Sequence, residues 1–412
     1  MIQNSIQNDK FLRFIKILIF SFPIILISGN FFTNGLVLIC FIAFFYILFK
    51  YDQYKIFNNR KIYYILIFFL YLILSSLFSK NNFSIINSFE YLRFLFFFLI
   101  LYFFFKSDKK FIKKFFSYYI FFLSIIIFDG FFQYFNGFNL MGQVQIKPHR
   151  VSGLFGDELI LGSFLSKYFF FLIIIFLYKK NKIVLISFGT LMILLTFVSG
   201  ERAAFISLIL LTILYLFRIF QIKKILLYFL ILIFSFTVIV KLDPVVKERM
   251  ILNTISNLKI IDNLKNIKSF NFISKTHNSH FQSAYLMYSK GSFKDQLLGR
   301  GVKSFRTNCS KPQFCDTPGG CCATHPHNIF FQIISELGLI GLFFYFYFYL
   351  HIFVAVFKSL LSNSIFTPKN ALEITLLVIL FPLITYGNIF GTFLSFNFYL
   401  ILSYYIAASD NG

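Results

Sequence analysis

The sequence predicts an all-α membrane protein of about twelve transmembrane helices with one large non-cytoplasmic loop, and three observations predict it. Hydrophobic residues fill 58% of the 412 positions and charged residues only 13%, whereas a soluble domain carries about 25% charged residues. So few charges cannot cover a water-facing surface, and most of the surface must face lipid. The apolar residues are also gathered into runs near the length that crosses a bilayer as a helix, about 20 residues. Finally, Lys and Arg crowd into alternate connecting segments, the asymmetry that sets membrane orientation.

The expected spans are 11–28, 31–49, 62–79, 88–105, 115–135, 158–178, 183–199, 203–217, 225–240, 329–350, 371–387 and 390–407. Backbone amides find no water in hydrocarbon, so these runs are helices. The chain thus divides into 1–240 with nine helices, a loop over 241–328, and 329–412 with three. Lys10, Arg13 and Lys16 before the first run imitate a secretory leader. That run is long enough to span, no small-residue cleavage site follows, and another run begins at once, so it reads as the first helix.

One set of short segments holds Lys10, Arg13, Lys16, Lys50, Lys55, Arg60, Lys61, Lys106, Lys109, Lys110, Lys113, Lys114, Lys179, Lys180, Lys182, Arg218, Lys223, Lys224, Lys358 and Lys369. The opposite set holds only Lys80, Arg93, Lys147, Arg150 and Arg202. This asymmetry places both termini in the cytoplasm. The net charge of +23 accompanies 67 Phe and no Trp, a skew that reflects an AT-rich genome, so charge alone does not point to nucleic acid. Codon bias cannot choose alternate loops.

The long segment 241–328 is mixed and polar and falls on the outer side. Amphipathic helices are expected within 251–284 and loop beyond, with Pro312, Pro318, Gly319 and Gly320 as breakers. Against the charge trend, Arg93, Arg150 and Arg202 stand on the outer side of a Lys-rich chain. Arg offers a planar fork suited to bidentate contact with phosphate, which Lys lacks. The structural alternative is snorkelling at the interface, or pairing of Glu90 with Arg93 and of Glu201 with Arg202.

The segment 325–341 carries the clearest chemistry. His327 and Asn328 stand at the mouth of a span, and Asn328, Gln332, Ser335 and Glu336 follow on one helical face. A polar stripe on a spanning helix should face the bundle interior or a water-filled cavity. Gly338 and Gly341 would permit close helix–helix approach. A neutral imidazole there can take a proton from a hydroxyl; the plainer reading is a histidine that only marks the helix entrance. Cys309, Cys315, Cys321 and Cys322 cluster in the outer loop, with Cys40 alone in the second span. On an oxidising side the four suggest disulfides with three possible pairings. Cys309–Cys322 is favoured, closing the loop that leads into the His-Asn helix; a vicinal Cys321–Cys322 bond is strained. A zinc site using these cysteines with His325 or His327 is the rival.

His327-Asn328, nine residues, Gly338, two residues, Gly341 resembles the H-N-x9-G-x-x-G motif of bacterial O-antigen ligases. The phrase Thr324-His325-Pro326-His327-Asn328, the run Arg150 to Glu158 and the turn Ser199-Gly200-Glu201-Arg202-Ala203-Ala204-Phe205 are similar to the same O-antigen ligase/polymerase superfamily. The resemblance covers roughly 85–405; the first two spans are generic. It implies a glycosyltransferase with a fold like that of the GT-C class, in the bacterial inner membrane with its active site facing the periplasm. It implies an undecaprenyl-diphosphate-linked glycan as donor, and lipid A–core or a second carrier-linked glycan as acceptor. Neither metal nor other cofactor is implied. By motif position His327 inherits the base role, with Asn328, Glu336, Gly338 and Gly341 in support. Arg150 and Arg202 inherit contacts to the diphosphate, and Arg249 is a third candidate.

A transporter of polysaccharide or lipid is the reading from another class. It would need ionisable residues deep in the spans or helices broken at mid-membrane. Pro23 and Pro382 interrupt spans and Asp129 and Asp157 lie near span ends, but no buried carboxylate chain suits ion coupling.

Overall fold

The computed structural model describes residues 9–51, 53–145, 150–256, 275–315, 321–362, 364–384 and 387–410. Among these residues the regular structure is helical, apart from one isolated antiparallel bridge between Phe138 and Val144. The principal helices are α1 (Lys10–Phe20), α2 (Phe22–Ile27), α3 (Asn30–Lys50), α4 (Arg60–Ser79), α5 (Asn82–Ser107), α6 (Lys109–Asn136), α7 (Leu161–Lys179) and α8 (Lys182–Val198). They continue with α9 (Arg202–Ile219), α10 (Ile222–Leu242), α11 (Lys275–Ser289), α12 (Phe293–Leu298), α13 (Ile329–Leu361), α14 (Pro368–Ile379) and α15 (Thr392–Asp410).

Nine helices among the described residues are long and apolar enough to cross a membrane: α3 to α7, α9, α10, α13 and α15. This is an all-α, multi-pass membrane protein. The other three expected spans differ from the expectation in form. The first is split into α1 and α2 at Ser21, next to Pro23, whose ring and missing N–H break a helical ladder. The span expected over 183–199 is α8, with 17 residues. The span expected over 371–387 is α14, with 12 residues, which ends before Pro382. Of the amphipathic stretch expected over 251–284, residues 257–274 lie outside the described residues, as do Lys147 and the breakers Pro318, Gly319 and Gly320.

Chain contacts define two units. The first comprises 1–109, 261–351 and 380–412. Its centre is α5, packed by α3, α4 and α15. From Phe94 to Phe105 all of α5 is buried except Phe96. Phe94 meets Phe396 of α15 edge-on at 5.1 Å, the geometry aromatic quadrupoles favour. Asn81 caps α5 by accepting from the Phe83 N–H at 3.1 Å.

The second unit comprises 110–260 and 352–379. Its centre is α7, apolar except for Ser163, Ser166 and Lys167 near its start and Tyr168, Tyr178 and Lys179, and packed by α8, α9 and α14; a helix so largely apolar belongs inside a bundle or in lipid. Every residue from Leu161 to Phe176 is buried save Ser163. Tyr119 of α6 stacks on Phe171 at 4.4 Å and on Tyr168 at 5.9 Å. By contrast α10 buries only Ile225 and Leu232, and the rest of its apolar surface is left for lipid.

Candidate functional site

In the first unit the chemistry gathers at the entrance to α13. Asn328 caps this helix: its Oδ1 accepts from the Phe330 N–H at 2.9 Å and the Phe331 N–H at 3.2 Å, and its Nδ2 donates to the Pro382 carbonyl at 2.7 Å. Such a cap satisfies amides that a helix start would otherwise orphan. His327, one residue earlier, holds a φ of 59°. Left-handed backbone costs a non-glycine residue about 1–3 kcal/mol and persists only where its surroundings impose it.

Three other imidazoles surround His327. Ring centroids lie 4.1 Å away for His325, 4.3 Å for His277 and 5.5 Å for His280. His277 and His280 sit one turn apart on α11, on one face. That helix is pinned by Phe281, whose ring stacks on Phe331 of α13 at 5.0 Å and 10°. Both belong to a buried cluster with Ala284, Met287, Phe305, Cys309 and Phe314. The Thr324 hydroxyl meets His325 Nδ1 at 2.9 Å. Burial first, and then the neighbouring His325, His277 and His280, pull the His327 imidazolium down to about 3. His327 is therefore neutral near pH 7, with a lone pair to offer. Sequence reasoning did not single out His277 or His280. The signal was present, since a His-x-x-His spacing in a chain with six histidines sets two ring nitrogens on one helical face.

The polar stripe of α13 is buried throughout, at Asn328, Gln332, Ser335 and Glu336. Gln332 donates to Asn388 Oδ1 at 2.8 Å and to Glu336 at 3.2 Å. The Glu336 carboxylate accepts from the backbone N–H groups of Lys303 (3.2 Å) and Phe305 (3.1 Å). Its observed work is thus to hold the chain that leads to Cys309. The close helix approach expected at Gly338 is made by the short α12, and Gly338 also interrupts its own helix. It takes a φ of 63° and breaks α13; a Cβ there would stand 2.6 Å from the Gly299 nitrogen and 2.7 Å from the Gln296 carbonyl. The close neighbour is the end of α12. At Gly341 an added Cβ would strike Leu337, on the far side of the same break. Cys309 is bonded to Cys322 and Cys315 to Cys321. Arg93 donates to Asn34 Oδ1 at 2.9 Å and to Thr392 Oγ1 at 3.4 Å, a structural placement.

In the second unit the turn Ser199 to Arg202 joins α8 to α9. Gly200 has a φ of 73°, and its carbonyl accepts from Arg249 Nε at 2.9 Å. A Cβ at Gly200 would stand 2.4 Å from Arg249 Cδ, so the guanidinium occupies space that only glycine leaves. Arg249 lies in a π-helical turn, Glu248–Leu252. Asp243 caps the preceding turn through the Val245 and Val246 N–H groups, both at 3.0 Å, and Val246 and Met250 pack on Phe197. Arg202 Nη1 donates to the Asn253 carbonyl at 3.2 Å.

Glu201 binds a helix start. Its two oxygens accept from the Gly162 N–H at 2.7 Å and the Ser163 N–H at 3.0 Å, where the α7 dipole favours negative charge. Burial raises its carboxyl to about 6, against the pull of these bonds and of Arg150 and Lys167. The Arg150 segment is fastened to α6: the Ser152 and Gly153 N–H groups donate to Gln133 Oε1 at 2.9 and 2.7 Å, and Asn139 Nδ2 donates to the Gly153 carbonyl at 2.8 Å. Burial, then Arg249, lowers the Arg150 guanidinium; burial, then Arg202, lowers that of Arg249; Glu201 opposes both shifts. Arg150 Nε is buried with no hydrogen-bond partner among the described residues. Arg150, Arg249 and Lys167 thus share the Glu201 carboxylate, with Arg202 beside Arg249, and the surplus positive charge suits an anion with several oxygens.

The three arginines are brought together in the second unit, and His327, Asn328 and Glu336 in the first. Residues 188–346 match a family model described as O-antigen ligase. The matched stretch contains Arg202, Arg249, His327, Gly338 and Gly341, and leaves Arg150 outside. No curated protein matches the chain.

Proposed function

Because residues 188–346 match a family model described as O-antigen ligase, we propose that the chain belongs to that superfamily and is a membrane glycosyltransferase that moves a glycan from undecaprenyl diphosphate to an acceptor hydroxyl. The reaction is assigned to the periplasmic face of a bacterial inner membrane, the side on which the charge asymmetry sets residues 241–328. The observation that carries the reading is the guanidinium surplus around Glu201. A departing diphosphate develops negative charge, and arginines held in place beforehand stabilise it without reorganising.

His327 accepts the acceptor's hydroxyl proton. The oxygen attacks the anomeric carbon, a new glycosidic bond forms, and the bond to the diphosphate breaks with its electron pair going to the leaving group. The place of His327 at the mouth of α13, at the end of the buried polar stripe, supports the base role. The reading adopted is the ligase, with lipid A–core as acceptor; the alternative is a polymerase that extends one carrier-linked glycan with another.

The test is transfer in vitro from undecaprenyl-diphosphate glycan, without added metal, to purified lipid A–core and, separately, to a second carrier-linked glycan. Product on the core supports the ligase; product only on the second glycan assigns the polymerase. His327→Ala should fold, retain donor and lose about 10²–10⁴-fold in rate, whereas His325→Ala should lose far less. Normal transfer by His327→Ala would remove the base role.

A further inference from the structure

We propose that His277, His280 and His327 form a site for one divalent transition-metal ion, zinc by ligand chemistry, whose occupancy withdraws His327 from proton transfer. The first half rests on geometry alone; the second rests on the base role proposed above. Each histidine offers one ring nitrogen, and these atoms all lie within 4.8 Å of one another. Tetrahedral zinc with Zn–N of 2.0–2.1 Å needs nitrogens about 3.4 Å apart, so small rotations of the rings close the set.

Three features favour an ion here. Two of the ligands are spaced i and i+3 on α11, a helix clamped by the Phe281–Phe331 stack, so their spacing is set before any metal arrives. All three residues are partly exposed, which leaves a path for entry. Imidazole suits zinc and copper, whereas magnesium and calcium prefer oxygen. A set of three imidazoles leaves the fourth position to water or a substrate oxygen, the pattern of an open site. Coordination uses the lone pair with which His327 would accept the acceptor's proton. Metal and proton therefore compete for one nitrogen, and zinc should act as a reversible brake.

Full-length protein carrying a non-histidine affinity tag, stripped with chelator and kept non-reducing so that the four loop cysteines stay paired, is titrated with Zn²⁺ and with Co²⁺. One ion per chain is expected. His277→Ala and His280→Ala should each weaken binding at least about 10- to 100-fold, the loss known for even outer-sphere partners, whereas His351→Ala should not. Should His280→Ala misfold, His280→Gln keeps the volume and removes the strong nitrogen donor. Absence of stoichiometric binding, or unchanged binding in both variants, overturns the site. Zn²⁺ should then inhibit transfer by the wild type, reversed by chelator, with the inhibitory concentration raised at least about tenfold in the His280 variant. Stimulation of transfer would leave the metal site standing and overturn both the brake and the base role of His327.

Discussion

The imidazoles of His277 and His327 stand 4.3 Å apart, centroid to centroid, although one belongs to a short helix of the large polar segment and the other to the mouth of a spanning helix. Four of the six histidines in the chain meet here.

Arg150→Lys and Arg202→Lys should each lower transfer at least about tenfold, because the ammonium keeps the charge but loses the planar fork. Donor affinity, read with a fluorescent undecaprenyl-diphosphate sugar, should fall alongside. Near-normal transfer by both lysine variants would leave these arginines with a topological or structural role only.

Gly200→Ala should both strain the turn and evict Arg249. The left-handed backbone alone costs about 1–3 kcal/mol in a residue with a side chain. A lowered melting temperature in detergent and weakened donor binding are expected together. A variant with unchanged donor affinity would show that the Gly200–Arg249 contact is not needed for the anion.

Binding of a diphosphate diester, whose own charge is constant between pH 5 and 8, should tighten as pH falls through about 6. Glu201 is then protonated, and the arginines lose their shared counter-charge. One such change is worth up to about tenfold in affinity. The sign for stability is the same. A carboxyl raised by folding contributes stability that is full below its ordinary 4.5 and is lost as pH rises through about 6. Glu201→Gln should bind the diester equally at both ends of this range; a persistent pH dependence in that variant would assign it elsewhere.

Joint replacement of Cys309 and Cys322 by serine should destabilise the segment that carries His327, by roughly 3 kcal/mol for a loop of about 15 residues. Limited proteolysis should cut the variant between residues 300 and 327 well before the wild type. Equal cleavage times would mean that the Glu336 bonds to Lys303 and Phe305 suffice without the bridge.

Reporter fusions after Tyr51 and after Lys275 should report opposite sides of the membrane, as the charge asymmetry requires. Both reporters on one side would overturn the proposed orientation.

Membrane character was legible because nine of the apolar runs are long enough to act alone, whatever packs beside them. Where a proline intervened, as at Pro23 and Pro382, apolar composition persisted while the helix did not, and composition cannot register that difference. The stripe from Asn328 to Glu336 was readable from helical periodicity, and its burial followed. The partners of Glu201 were not. Its neighbour in sequence, Arg202, suggested an ion pair, whereas the carboxylate reaches two amides about forty residues upstream. His277 and His280 escaped notice because their companion lies some fifty residues away and no local period links them.

The break at Gly338 has a consequence for tolerance to change. The residues from Ile329 to Leu337 are tied by hydrogen bonds to residues 298–305: the Gly301 N–H donates to the Glu336 carbonyl at 2.8 Å, the Glu336 carboxylate takes the Lys303 and Phe305 amides, and Tyr71 donates to both the Leu298 and Leu337 carbonyls. The stretch that carries His327 is therefore indexed by a loop. Adding or removing one residue between Ser292 and Gly301 should shift the histidine out of register, while a one-residue change at the far end of α13, past Leu361, should pass unfelt.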